Sequence, residues 1–166
     1  MADNIFEQLY RIDVKDKIEK KNNLSYLSWA WAWAELMKVY PQASYEIKKF
    51  DDLPYKYDEK TGYMVFTSIT IDGNTKEMWL PVMDNNNKAM KDHPYKYQVK
   101  NWNTGAMVDK VVDAASMFDI NKTIWRCLTK NIAMFGLGLY IYAGEDLPEE
   151  IKEDKNERWK GLDAKE

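Results

Sequence analysis

Residues 62–84 read GYMVFTSITIDGNTKEMWLPVMD, two alternating apolar-rich runs on either side of Asp72-Gly73-Asn74. Asp-Gly supplies the left-handed positions that a tight hairpin turn demands, so the chain commits here to an antiparallel pair of strands. In the first run Tyr63, Val65, Thr67, Ile69 and Ile71 share one face, and Met64 and Phe66 take the other. Apolar groups on both faces predict a sheet covered, at least in part, on both sides. Pro81 cannot donate to a ladder, which places the end of the second strand at an edge or a bulge.

A sheet with an apolar face needs a second layer to bury it. The segment DINKTIWRCLTKNIAMFG, Asp119–Gly136, is shaped to be that layer. Asp119 or Asn121 can cap its start and Gly136 can end it. At about 100° per residue, Ile124, Leu128, Ile132 and Phe135 gather on one side. Lys122, Arg126 and Lys130 fall within about 80° of one another on the opposite side. The helix therefore carries one core face and one cationic stripe.

NNLSYLSWAWAWAELMKVYP places tryptophan at 29, 31 and 33, an alternation that resembles a strand. Its alanines, Glu35, Leu36, Met37 and Lys38 are helix formers, and the run stops at Pro41, so a helix is expected over about Ser25–Val39. Trp29 and Trp33 then share a face with Tyr26, Leu36, Met37 and Tyr40. Trp31 points away, beside Leu27, Ala34 and Lys38. Two readings follow for that ring: a second buried contact against the N-terminal segment, or a subunit contact or stacking surface.

The remaining segments are less sharply written. ASYEIKKF alternates as a strand does, and DNNNKAMKDHPYKYQVKNWNTG reads as a long polar loop in which YKYQV can add a short strand. AMVDKVVDAASMF fits either a short helix or a strand followed by a turn. LGLYIYAG is expected to be a closing strand. The fold class is α+β: a twisted antiparallel β-sheet with a β-hairpin, a long amphipathic helix packed across it, and an N-terminal aromatic-rich helix. The 166 residues suit one domain, set at 1–148, followed by an acidic tail over 149–166.

Charge and cysteine usage limit the function. Of 27 acids and 24 bases, nine and five lie in Glu145–Glu166, leaving 18 and 19 in the body. A near-neutral body means that any basic function is local. Cys127, the one cysteine, rules out an internal disulfide and suits a reducing compartment. The start lacks the pattern of a signal peptide, and AMFGLGLYIYAG is too short and glycine-broken to span a bilayer. A soluble intracellular protein is expected, with no membrane partner. His93 and Cys127 stand in no ligand-spaced pair, so no metal and no cofactor is expected. Gly136, Gly138 and Gly144 match neither the dinucleotide spacing nor a phosphate loop. Glu46-x-Lys48 is the tail end of a metal-dependent nuclease signature, with Asp51, Asp52 and Asp58 downstream rather than on a preceding strand.

The cationic stripe of Lys122, Arg126 and Lys130 lies on one line and can follow a phosphate backbone, although an ordinary solvated helix face has the same spacing. Lys20 and Lys21 can extend it. Lys96 and Lys100, interleaved with Tyr95, Tyr97 and Trp102, form a second basic and aromatic cluster of the kind that binds single strands, or a plain polar loop.

Three stretches taken together, KKNNLSYLSWAWAWAELMKVYPQASYEI, LPVMDNNNKAM and DINKTIWRCLTKNIAMFGLGLYIYAGEDLP, resemble phage single-strand annealing proteins of the Sak-three class, placed in the superfamily of the eukaryotic annealing protein Rad-fifty-two. The likeness spans roughly Ile5–Pro148, in order. It implies a helix across a twisted antiparallel sheet. It also implies a homo-oligomer, ring or filament, that holds single-stranded DNA and anneals complementary strands without ATP or covalent catalysis, in the bacterial host cytoplasm. A host or phage single-strand-binding protein is a further candidate partner. By position, the backbone-contacting residues would be Lys122, Arg126 and Lys130, with Tyr26, Trp31 and Trp102 as candidates for stacking or subunit contact. The rivals are a nuclease using Glu46 and Lys48, and a protein-interaction module without a DNA role.

Overall fold

The computed structural model describes residues 4–21 and 24–143, apart from the side chains of Lys21 and Leu24; the acidic tail lies outside the described residues. The order is α1 (Ile5–Tyr10), β1 (Ile18–Lys21), β2 (Leu24–Leu27), α2 (Trp29–Val39), β3 (Ser44–Ile47), β4 (Lys56–Asp58), β5 (Gly62–Ile71), β6 (Asn74–Pro81), β7 (Tyr95–Lys100), β8 (Met107–Val112) and α3 (Met117–Met134). All strand pairs are antiparallel. The fold is α+β.

β5 is the spine of the main sheet. β6 pairs along one side of it from Met64↔Pro81 to Ile71↔Asn74. β3 and β4 share its other side, at Thr67–Thr70 and Gly62–Met64. The turn is the expected one: Asp72 and Gly73 have φ of 48° and 79°. Pro81 closes β6, a strand with no further partner on its outer edge among the described residues.

α3 lies across one face of this sheet and packs on β5 and β6. Ser116 caps it, accepting from the Asp119 amide, while Asp119 reaches back to the Ser116 amide. The cap expected at Asp119 or Asn121 therefore sits one turn earlier, because the capping box uses Asp119 as its third helical residue. Two apolar clusters fill the space beneath the helix. Leu128, Ile132 and Phe135 join Ile69, Ile71 and residues of α1 and α2. Ile120, Ile124 and Cys127 join Val65, Val82, Met90 and Val112. Tyr63 is half-buried, and Val65, Thr67, Ile69 and Ile71 are buried, as the alternation demands. Met64 and Phe66 on the opposite face are half-buried, with the Phe50 ring edge-on to Phe66, so that side is covered in part.

Three local expectations change. The helix expected from Ser25 begins at Trp29, because Leu24–Leu27 pair with Ile18–Lys21 as a hairpin. Tyr26 is thus a strand residue. Leu139–Tyr142, expected as a closing strand, is a short 3-10 turn entered through left-handed Gly138. The segment left open between helix and strand is β8, which pairs with β7 as a two-stranded ribbon.

Cys127 is fully buried. Burial pushes its thiol above the ordinary range, outweighing the Thr67 hydrogen bond and the nearby Lys130 charge. Because only the thiolate reacts, native protein at neutral pH is expected to take up iodoacetamide at least about a hundredfold more slowly than denatured protein. Mass spectrometry of the two time courses checks this; equal rates would place the thiol at the surface.

Candidate nucleic-acid interface

Lys122, Arg126 and Lys130 step along one side of α3, and each is half-buried. Each also rests on an aromatic ring. The Lys122 ammonium lies 5.9 Å from the Phe118 ring centre, the Arg126 guanidinium 4.8 Å from Tyr26, and the Lys130 ammonium 5.3 Å from Tyr142. Such contacts direct long side chains and hold them in place. Neither Lys122 nor Arg126 has a carboxylate at ion-pair distance among the described residues.

Three elements converge to make this a cleft. β2 supplies Ser25 and Tyr26, β6 supplies Leu80, and the C-terminal 3-10 turn supplies Tyr142, around Arg126, Thr129 and Lys130 of α3. Local sequence explains the convergence. Leu27 is buried in the first apolar cluster with Val14 and Leu137, which holds β2 against the helix. Gly138 then turns the chain so that the Tyr140 hydroxyl accepts a hydrogen bond from the Val14 amide at 3.1 Å. Lys20 stands opposite Ser25 in the β1–β2 register and is exposed, so the hairpin brings it beside the cleft. Lys21 pairs with Leu24, and its side chain lies outside the described residues.

An aromatic run flanks the stripe. Trp125 stacks on Trp29 at 4.4 Å and 23°, and its indole N–H donates to Asn121 Oδ1 at 3.2 Å. Tyr45 continues the run to Trp33. Trp29 remains 43% exposed, whereas Trp31 packs against the first apolar cluster. Trp31 and Trp33 are half-buried, so Trp29 is the most exposed of the three α2 tryptophans.

Lys96, Lys100 and Trp102 are not brought to this cleft. They ride on the β7–β8 ribbon, whose base is anchored by Tyr95 and Val112 in the second cluster. Trp102 lies just beyond β7 and is 86% exposed, with the Lys100 ammonium 5.0 Å from its ring. Glu46 and Lys48 are both exposed on or beside β3, and no three His, Cys, Asp or Glu side chains among the described residues gather as a metal site. Sequence reasoning missed Phe118, Thr129, Tyr142 and Leu80. Phe118 was findable, one turn ahead of Lys122; Tyr142 was hidden by the expectation of a strand.

Aligned cations beside flat rings suit a polyanion carrying aromatic bases. The family model for the Sak single strand annealing protein matches residues 4–164. The chain belongs to that family. Nothing matches it among curated proteins or among solved structures. Family membership makes single-strand annealing in recombination the general role of this Sak-type protein. No helix among the described residues of this family member is long and apolar enough to cross a membrane.

Proposed function

We propose that this Sak-type protein binds single-stranded DNA through Lys122, Arg126 and Lys130, with Lys20 at the rim, and anneals complementary strands without ATP. The observation that carries the reading is the seating of all three α3 cations on aromatic rings, with Arg126 and Lys130 lining one cleft. Contacts to the sugar-phosphate backbone fix the strand but leave base edges free, so binding is independent of sequence and the bases can test a partner. The driving force for annealing is then base pairing and stacking, about 1.4 kcal/mol per step, which requires no nucleotide hydrolysis. Copies of the chain assembled as a ring or filament would line up one stripe per subunit, offsetting the nearly neutral body. The Lys100–Trp102 ribbon tip is a further contact point, for DNA or for a neighbouring subunit.

In this proposal the tail beyond residue 148 takes no part in binding. Truncation there is expected to leave oligonucleotide affinity unchanged or to raise it, since net negative charge is removed. Anisotropy titration of the truncated chain checks this, and a large loss of affinity would assign the tail a direct part in binding. The decisive test of the proposal is alanine replacement of Lys122, Arg126 and Lys130.

A further inference from the structure

The face of the main sheet turned away from α3 carries its own aromatic and basic group. Lys48, Phe66 and Trp79 form one row across three strands: the Lys48 amide donates to the Phe66 carbonyl, and Phe66 pairs with Trp79. The Phe66 and Trp79 rings stack at 6.3 Å and 28°, and Phe50 meets Phe66 edge-on at 5.5 Å. Trp79 is 55% exposed. The Lys48 ammonium lies 5.6 Å from Phe50 and 5.8 Å from Phe66, and that of Lys56 5.7 Å from Phe50. Glu46 and Glu77 flank Ser68 in the next row, so Lys48 stands in the row with the rings and these two carboxylates in the row beside it.

We propose that this face is a second platform for unpaired nucleic acid, with bases stacking on Trp79 and Phe66 and phosphates meeting Lys48 and Lys56. A flat row of rings between ammonium groups is complementary to bases strung on a charged backbone, and a sheet face accommodates splayed bases well. A protein partner would gain from the rings but would leave two lysines to be paired. The Glu46–Glu77 row repels phosphate and confines the strand to the Lys48–Lys56 end. The platform is distinct from the α3 cleft yet next to it. Leu80 lines the cleft, and its neighbour Trp79 points to the opposite face, so β6 separates the two. One subunit can thereby hold two strands back to back. The class of ligand rests on the annealing reading above.

Binding of a labelled homothymidine oligonucleotide by the full chain tests it, using Trp79→Ala, Trp79→Phe, Lys48→Ala/Lys56→Ala and the triple alanine variant of α3. Trp79→Ala and the double lysine variant are each expected to lose about fivefold or more in affinity, and Trp79→Phe to keep most of it. In the α3 triple variant, adding Trp79→Ala is expected to remove most of the residual binding. Unchanged binding by Trp79→Ala and by the lysine pair, alongside a loss in the α3 variant, overturns the platform and leaves the cleft standing. The reverse pattern keeps the platform and overturns the cleft. A change in particle mass without oligonucleotide in Trp79→Ala, with affinity intact in the lysine pair, makes this face a contact between copies and likewise overturns the proposal.

Discussion

Alanine at Lys122, Arg126 and Lys130 together is expected to weaken binding of a single-stranded oligonucleotide by about a hundredfold at physiological salt. Charge-assisted contacts contribute roughly 1.5 kcal/mol or more apiece, and three of them exceed the 2.7 kcal/mol that a hundredfold requires. The salt dependence should change as well. Each phosphate neutralised on a single strand contributes about 0.7 to the slope of log affinity against log salt, so losing three lowers the slope by about two. The variant should fold, because the three side chains are absent from both apolar clusters. Arg126→Lys separates charge from geometry. It keeps the charge but loses the flat guanidinium stacked 4.8 Å from Tyr26, so a partial loss is expected. Unchanged affinity and slope in a folded triple variant would remove the stripe from the mechanism.

The largest effect on stability is expected at Gly136. Its φ is 119°, and a Cβ built there would sit 2.5 Å from the Phe6 carbonyl oxygen and 3.0 Å from the Tyr10 amide nitrogen. Those atoms are backbone of α1, so neither can rotate aside. Alanine at 136 must pry α1 from the end of α3 or force the chain out of its turn, and about 3 kcal/mol or more is the expected cost. For a chain of this size that lowers the melting temperature by about 10 °C. Gly73 is the internal control. It too has positive φ, 79°, but an added Cβ would meet nothing within 4 Å. Gly73→Ala should cost only about 1 kcal/mol, the strain of the turn alone. Equal melting temperatures for the two variants would show that the α1–α3 contact is not tight.

The residues that wrote their structure openly did so through local chemistry. Asp72-Gly73 determined the hairpin because the two left-handed positions leave few other residues to choose. The face of α3 that carries Ile124, Leu128 and Ile132 could be read from periodicity, and all three are buried. Tertiary context decided the rest. Ser25–Leu27 continue a helical-looking run, yet they pair with Ile18–Glu19–Lys20, and no local pattern announces a partner only a few residues upstream. Leu139–Tyr142 have strand-forming side chains, but Gly138 and the Tyr140 hydroxyl bond to Val14 close them into a tight turn. The cleft followed the same division. Its cations were legible as a stripe, while the ring beneath Arg126 comes from β2, far away in sequence, and that beneath Lys130 from a last turn expected to be a strand. Trp31 also depended on packing, since the apolar cluster it rests against is built from residues distant in sequence.

Strand annealing followed in EDTA without nucleotide examines the central claim most directly. Two complementary oligonucleotides bearing a donor and an acceptor dye report duplex formation as energy transfer. The native chain should speed duplex formation well above the spontaneous rate. The Lys122→Ala/Arg126→Ala/Lys130→Ala variant, folded and of unchanged particle mass, should leave it near the spontaneous rate. Acceleration by that variant equal to that of the native chain would contradict the assignment of annealing to the α3 cleft.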